Sequence, residues 1–257
     1  MNPLRKIMAL RFLRKYLPAT DIATALKGSN VYCNCCGGSF ITFLPFGLIK
    51  RANASCPSCG SLERHRLHWH FMVNKTDLLK STRKLRILHV APEAVFYNKF
   101  NGNHLFDYVP CAKFGEGFTD EYPTGTINVD ITNIQFENNS FDVIYCSHVL
   151  EHVPDDLKAM QEFHRVLKPG GWAMLQVPLD KNRMKTYEDF SIVDPKEREK
   201  AFGQYDHVRV YGLDYIHRLQ LAGFTVNQIN YTSEFTENEL FYNGFQPGED
   251  IFICTKQ

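Results

Sequence analysis

The chain has 257 residues, 44% apolar and 22% charged, enough to bury a core in one main domain plus a small appendage and too short for three domains. No apolar run approaches the roughly 18 residues of a membrane-spanning helix. The stretch from Ile7 to Leu10 is broken by Arg11, Arg14 and Lys15, so the continuous apolar segment of a secretory signal is missing and a cytoplasmic location is expected.

The formal charge of +1 conceals a division. Residues 1–84 carry 14 Lys and Arg against 3 Asp and Glu, net +11, and the remainder carries 15 against 25, net −10. The two parts should therefore attract different partners. Residues 1–30 read as a basic helical segment, in which Arg5, Lys6, Arg11, Arg14 and Lys15 alternate with Leu4, Ile7, Leu10, Leu13 and Leu17 until Pro18 ends the helix. Two roles are open: an apolar stripe docked on the following domain, or contact with an anionic partner, either the inner membrane surface (as a peripheral protein) or RNA. Residues 31–83 form the appendage, with short strands and turns to residue 60 and then a helix capped by Ser61 that runs to about Lys80.

Five of the eight cysteines crowd between positions 33 and 59, while Cys111, Cys146 and Cys254 are scattered. Such clustering points to a metal site rather than a disulfide framework. Cys33-Asn34-Cys35-Cys36-Gly37 and Cys56-Pro57-Ser58-Cys59-Gly60 are two C-x-x-C-G knuckles separated by 19 residues. Four thiolates from Cys33, Cys36, Cys56 and Cys59 would give a structural Zn²⁺ its closed tetrahedral shell. Cys35 is a spare that could replace Cys33. His65, His68 and His70 are further donors by type, but a four-thiolate shell leaves no vacancy, so they are expected on the helix surface.

From Lys84 the pattern becomes strands alternating with helices, the signature of a parallel sheet with crossover connections. Strands are predicted over 85–90, 108–111, 126–129, 141–146 and 172–177. Leu157, Met160, Phe163, Val166 and Leu167 mark a helix between Pro154 and Lys168, stopped by Lys168-Pro169-Gly170-Gly171. A polar segment, 180–206, follows, then a helix near 214–222 and two terminal strands, 224–231 and 250–255.

The stretch Asn138-Asn139-Ser140-Phe141-Asp142-Val143-Ile144-Tyr145-Cys146-Ser147-His148-Val149-Leu150-Glu151-His152-Val153, followed by Arg165-Val166-Leu167-Lys168-Pro169-Gly170-Gly171, resembles class I S-adenosylmethionine-dependent methyltransferases over roughly residues 84–257. The resemblance implies an α/β fold: a seven-stranded Rossmann-like sheet whose last strand is antiparallel, with S-adenosylmethionine across the carboxyl ends of the first strands. The two knuckles together with Cys59-Gly60-Ser61-Leu62-Glu63-Arg64-His65-Arg66 further resemble a bacterial subgroup in which a zinc ribbon precedes the methyltransferase domain.

Carried over residue by residue, the resemblance assigns cofactor contacts to His89, Ala91 and Glu93 after the first strand. His89 stands where an acid is usual, and Ala91 and Glu93 replace glycines. The second strand offers no acid in register for the ribose, with Glu116 a nearby substitute. Asp130 matches the third-strand acid that binds the adenine amino group, with Ile131 against the ring, and Ser147 ends the fourth strand. His148 follows that strand where the family places substrate-facing residues, His152 lies one turn on, and Asp206 and His207 fall where the family inserts a substrate lid. These four are the candidate catalytic residues.

His148-Val149-Leu150-Glu151-His152 also spells H-x-x-E-H, an inverted zinc-peptidase pattern. That chemistry needs both histidines on a long helix, and Pro154 leaves a single turn. The expected function is methyl transfer to an unidentified acceptor, such as a small metabolite, a glycan or a lipid-linked substrate. Two alternatives stand beside it, an RNA methyltransferase that uses the basic region on phosphates and a non-catalytic binding module that retains the fold.

Overall fold

The computed structural model describes residues 18–47, 49–115 and 121–257. The basic amphipathic stretch before Pro18 and Glu116 lie outside them. The chain forms two compact units, one of residues up to Lys80 with Asn230–Asp250, the other of Ser81–Ile229 with Ile251–Gln257. The sequence pattern predicts one domain over 84–257, whereas residues 230–250 group with the cysteine-bearing unit.

In the cysteine-bearing unit a helix, Ala19–Ala25, leads into two antiparallel pairs, Lys27–Cys33 with Gly38–Phe40 and Leu44–Phe46 with Arg51–Ser55. The following helix spans Glu63–Lys75. Ser61 does not cap it as expected: its hydroxyl lies 3.1 Å from Cys33 Sγ. Instead, the backbone N–H of Leu62 donates to His65 Nδ1 at 3.0 Å, and the helix begins one residue later. Its end also comes early, because Thr76 donates to the Met72 carbonyl and accepts from the Leu78 N–H, which diverts the chain.

His65 and His68 are buried, and His70 meets the Tyr231 hydroxyl at 2.8 Å; the expected surface placement of the three is thereby corrected. They are spent on capping and packing within this small core. Arg66, fully buried, donates to the carbonyls of Ala54, Ser61, Asn243 and Gly244 and stacks on Phe43 at 4.1 Å. Gly244 sits at φ +59, and a Cβ there would come within 2.5 Å of the Phe43 ring, so the close approach requires glycine.

The second unit is built on a seven-stranded sheet. In chain order its strands are β1 (Leu85–Val90), β2 (Phe106–Ala112), β3 (Ile127–Asn128), β4 (Phe141–Ser147), β5 (Leu167–Gln176), β6 (Thr225–Ile229) and β7 (Ile251–Thr255). Their spatial order is β6-β7-β5-β4-β1-β2-β3, and only β7 runs antiparallel to its neighbours. This is the sheet, with its antiparallel last strand, that the resemblance implied.

Leu88, Val90, Ile144 and Cys146 face a core with Met160 and Phe163 of the helix Asp156–Val166 and Tyr215 and Leu219 of the helix Tyr215–Leu221. Alternate side chains, His89 and Tyr145, enter the opposite face and pack with Phe96 and Phe100 of the helix Ala94–Phe100. β5 starts at Leu167, directly at the helix end, rather than at Trp172. Lys168-Pro169-Gly170-Gly171 is absorbed where the register to β4 shifts, and a Cβ on Gly171 would meet the Asp142 carbonyl at 2.8 Å.

Between β5 and Tyr215 the polar segment folds into a short strand pair, Tyr187–Glu188 with Arg209–Val210, and a helix, Pro195–Phe202, capped by Asp194.

Candidate active site

β1 is flanked by β2 on one side and β4 on the other, so the chain order reverses between β1 and β4. Open α/β sheets bind ligands in the crevice outside the carboxyl ends of their strands at such a point. The residues just past both strands are left-handed although neither is glycine: Ala91 at φ +48 and His148 at φ +56. Each is pinned by the main chain, Ala91 N–H to the Cys111 carbonyl at 2.8 Å and His148 N–H to the Gln176 carbonyl at 2.9 Å. Such strain persists where the surrounding structure over-determines it, and it collects at functional sites.

Asp130 lies beyond β3. Its Oδ1 accepts from the Thr132 N–H and hydroxyl at 2.9 and 2.7 Å, and its Oδ2 pairs with Lys113 Nζ at 2.7 Å. Partial burial works against the charge, but Lys113 and Thr132 outweigh it and bring the carboxyl down to about 2. The carboxylate remains 38% exposed, with lone pairs to spare for an incoming amino group. Ser147 is 5% exposed and its hydroxyl has no hydrogen-bond partner among the described residues. Glu93 is half-buried at the start of the helix Ala94–Phe100, just after the Ala91 turn.

One of the residues expected at the cofactor, His89, lies elsewhere. His89 is fully buried among aromatic rings, its Nδ1 2.9 Å from the Tyr108 hydroxyl, so it is a core histidine; β-strand alternation turns it away from the edge. Ile131 is 6% exposed and belongs to the apolar core.

The four candidate catalytic residues gather at the end of β4. His148 is 37% exposed and its Nδ1 lies 3.4 Å from Glu151 Oε1. His152 Nδ1 lies 3.2 Å from Asp206 Oδ2, and its ring packs edge-on against His207 with centroids 4.7 Å apart. Burial, followed by the nearby His152, holds His207 below its ordinary value. The short turn Leu150–His152 carries Glu151, whose side chain is 1% exposed.

The segments that form this cluster are tied together by Arg209, which no sequence motif singles out. Its buried guanidinium donates to the carbonyls of Leu150 and Pro154 at 2.9 and 2.8 Å, to that of Val153, and to Glu188 at 2.9 Å. Next to it, the Val208 N–H donates to the Glu151 carbonyl at 3.0 Å. Beneath, Asp156 accepts from Tyr211 at 2.7 Å and from both nitrogens of the Arg218 fork.

In the other unit, Cys33, Cys36, Cys56 and Cys59 bring their sulfurs within 4.8 Å of one another. Each knuckle closes with a glycine amide on the first cysteine's carbonyl, Gly37 on Cys33 at 2.7 Å and Gly60 on Cys56 at 3.0 Å. Cys35 stays out of the group and donates to the Asn34 side chain. Sulfur hydrogen bonds, that of Cys35 foremost, hold the Cys33 thiol well below its ordinary value, and those to Cys33 foremost push the Cys56 and Cys59 thiols up. Four thiols this close cannot all ionise unless a cation joins them, and that donor set fits Zn²⁺.

A family model described as "Methyltransferase domain" matches residues 110–175. The demethylmenaquinone methyltransferase of Staphylococcus epidermidis is 49% identical over 45 residues, 18% of this chain and 19% of that one. The ubiquinone biosynthesis O-methyltransferase of Paraburkholderia phymatum is 36% identical over 90 residues, 34% of this chain and 35% of that one. The chain therefore spans about a fifth to a third of the length of these relatives. A solved S-adenosylmethionine-dependent methyltransferase from Mesorhizobium loti aligns at 14% identity over 67% of this chain and 91% of that one, with a TM-score of 0.44. No helix among the described residues is long and apolar enough to cross a membrane.

Proposed function

We propose, from the premise that the chain belongs to the class I S-adenosylmethionine-dependent methyltransferases, that it moves a methyl group to a hydroxyl of a small molecule bound at the carboxyl edge of β1 and β4. The observation that carries this is the family match over 110–175, which takes in Lys113, Asp130, Ser147, His148 and His152.

The residues at the edge suit the cofactor. Asp130 would accept the adenine amino group, the Ala91 turn would let the backbone approach the methionine moiety, and Ser147 and Glu93 would meet its polar end. When bound, the cofactor supplies a sulfonium methyl carbon that takes an electron pair and leaves a neutral thioether. The protein's own work is then alignment and proton removal. His148, exposed beside the buried Glu151 carboxylate, takes the acceptor's proton while the hydroxyl oxygen forms its bond to carbon. His152, Asp206 and His207 wall the acceptor from the lid side.

Both relatives named above are quinone-pathway enzymes by their names, and one is an O-methyltransferase, which supports a phenolic or quinol-like acceptor. The four cysteines hold a structural zinc ion, and the basic N-terminal third recruits the acceptor.

Calorimetric titration of zinc-replete protein with S-adenosylmethionine and S-adenosylhomocysteine tests the reading. Saturable binding of both, weakened in Asp130→Ala, is expected. If neither binds, the reading fails and the fold serves as a binding module. Methylation of a short-tailed hydroquinone, followed by mass spectrometry, tests the acceptor class.

A further inference from the structure

We propose that Glu151, His152 and His207 form a site for a divalent first-row cation with open coordination positions, at the acceptor end of the sheet. The inference rests on reading that edge as the acceptor site and adds an ion that would hold the acceptor oxygen there.

One ligand atom from each of the three residues lies within 4.8 Å of the other two, close enough for one ion to draw them together. Two imidazoles and one carboxylate form a donor set that divalent first-row metals use when part of the shell is kept for substrate or water.

Two further observations point to a ligand. First, Glu151 is 1% exposed and neither carboxylate oxygen has a hydrogen-bond partner among the described residues. A buried carboxylate left so is costly unless paired or bound to a metal. His148 Nδ1 approaches Oε1 at 3.4 Å, and the carboxylate keeps lone pairs for an ion. Second, both histidines turn the same nitrogen to an oxygen acceptor. His152 Nδ1 faces Asp206 at 3.2 Å and His207 Nδ1 faces the Phe202 carbonyl at 3.3 Å. Such contacts fix the tautomer and ring orientation of metal-binding histidines and free Nε2 for the metal.

Arg209 holds the turn carrying Glu151 and His152 against the chain that follows His207, so the three donors come from a braced frame. The trio uses only the second half of the H-x-x-E-H motif and takes its third donor 55 residues on, which separates it from the peptidase arrangement.

The test uses the full chain with its cysteine site filled with zinc, dialysed against a mild chelator and titrated with Mn²⁺, the free ion being followed by electron paramagnetic resonance. Mn²⁺ suits nitrogen and oxygen donors and competes poorly for thiolates. One saturable equivalent per chain is expected, lost in Glu151→Gln and in His207→Ala, and weakened about tenfold in Asp206→Asn, whose residue acts through His152. Asp206 is 39% exposed, so its variant gives the readout even where Glu151→Gln or His207→Ala perturbs the core.

Mn²⁺ that stays free with the wild-type protein, or binds His207→Ala as tightly, overturns the site. S-adenosylhomocysteine titrations of the same samples separate the two readings. Cofactor binding without Mn²⁺ binding removes the metal site and keeps the methyltransferase, and Mn²⁺ binding without cofactor binding does the reverse.

Discussion

Two clusters of metal-ligand type stand among the described residues, and they are built on opposite plans. The cysteine cluster takes its donors in pairs from two short turns, Cys33 with Cys36 and Cys56 with Cys59, each closed by a glycine amide. The Glu151, His152 and His207 cluster takes two donors from one turn and the third from the inserted segment, between the helix Pro195–Phe202 and the strand Arg209–Val210. The first is a closed set of four soft donors suited to holding a fold together, and the second is a mixed, open set. A locally encoded cluster stabilises the segment that encodes it. A cluster assembled at long range must itself be held in place, and here that task falls to Arg209.

The sharpest test of this contrast is metal removal from the cysteines. Stripping zinc with a strong chelator, or replacing Cys56 with Ser, should unfold the cysteine-bearing unit, since structural zinc contributes on the order of 10 kcal/mol to small domains. The sheet unit should keep its own unfolding transition in calorimetry; a single merged loss would remove the distinction. Next comes Arg209→Ala, which strips the buried guanidinium from the Leu150, Val153 and Pro154 carbonyls and leaves Glu188 to Arg218, and should cost about 3 to 5 kcal/mol in denaturant titration.

Glu151→Gln should go the other way. Replacing a buried carboxyl that has no hydrogen bond among the described residues should leave the stability of the metal-free protein unchanged or raise it by about 1 to 3 kcal/mol, while methyl transfer falls; a large loss of stability would make Glu151 a structural residue. The smallest effect belongs to Asp130. Its folded carboxyl is held at about 2 against an ordinary 3.8, so its contribution is full above that ordinary value and is lost as pH falls toward 2. With the group partly exposed, Asp130→Asn should cost less than about 1 kcal/mol and flatten the acid limb of the melting-temperature profile, even though it weakens cofactor binding.

The same contrast explains what could be read from the chain. The cysteine knuckles and the run 85–90 are local patterns, and both stand in the structure at those positions. His89 sits in that run, and strand alternation alone put it in the core; the motif alignment that made it a ligand ignored which way the side chain points. Asp206 and His207 were reached through a family resemblance and do meet His152. Glu151 stands in both quoted motifs but draws no role from the methyltransferase one, because nothing local signals that its carboxylate is buried without a hydrogen bond among the described residues. Arg209 and the grouping of residues 230–250 with the N-terminal unit depend on contacts far apart in sequence, where periodicity carries no information.

That last grouping sets a timetable for synthesis. Two of the carbonyls that receive the buried Arg66 guanidinium belong to Asn243 and Gly244, 177 and 178 residues downstream. At ribosomal rates the wait is roughly 10 to 35 s, during which the first unit to emerge lacks part of its own interior. A zinc ion captured early by the two knuckles would give the nascent segment a fixed point through that interval, so metal supply during translation should govern the yield of correctly folded chain.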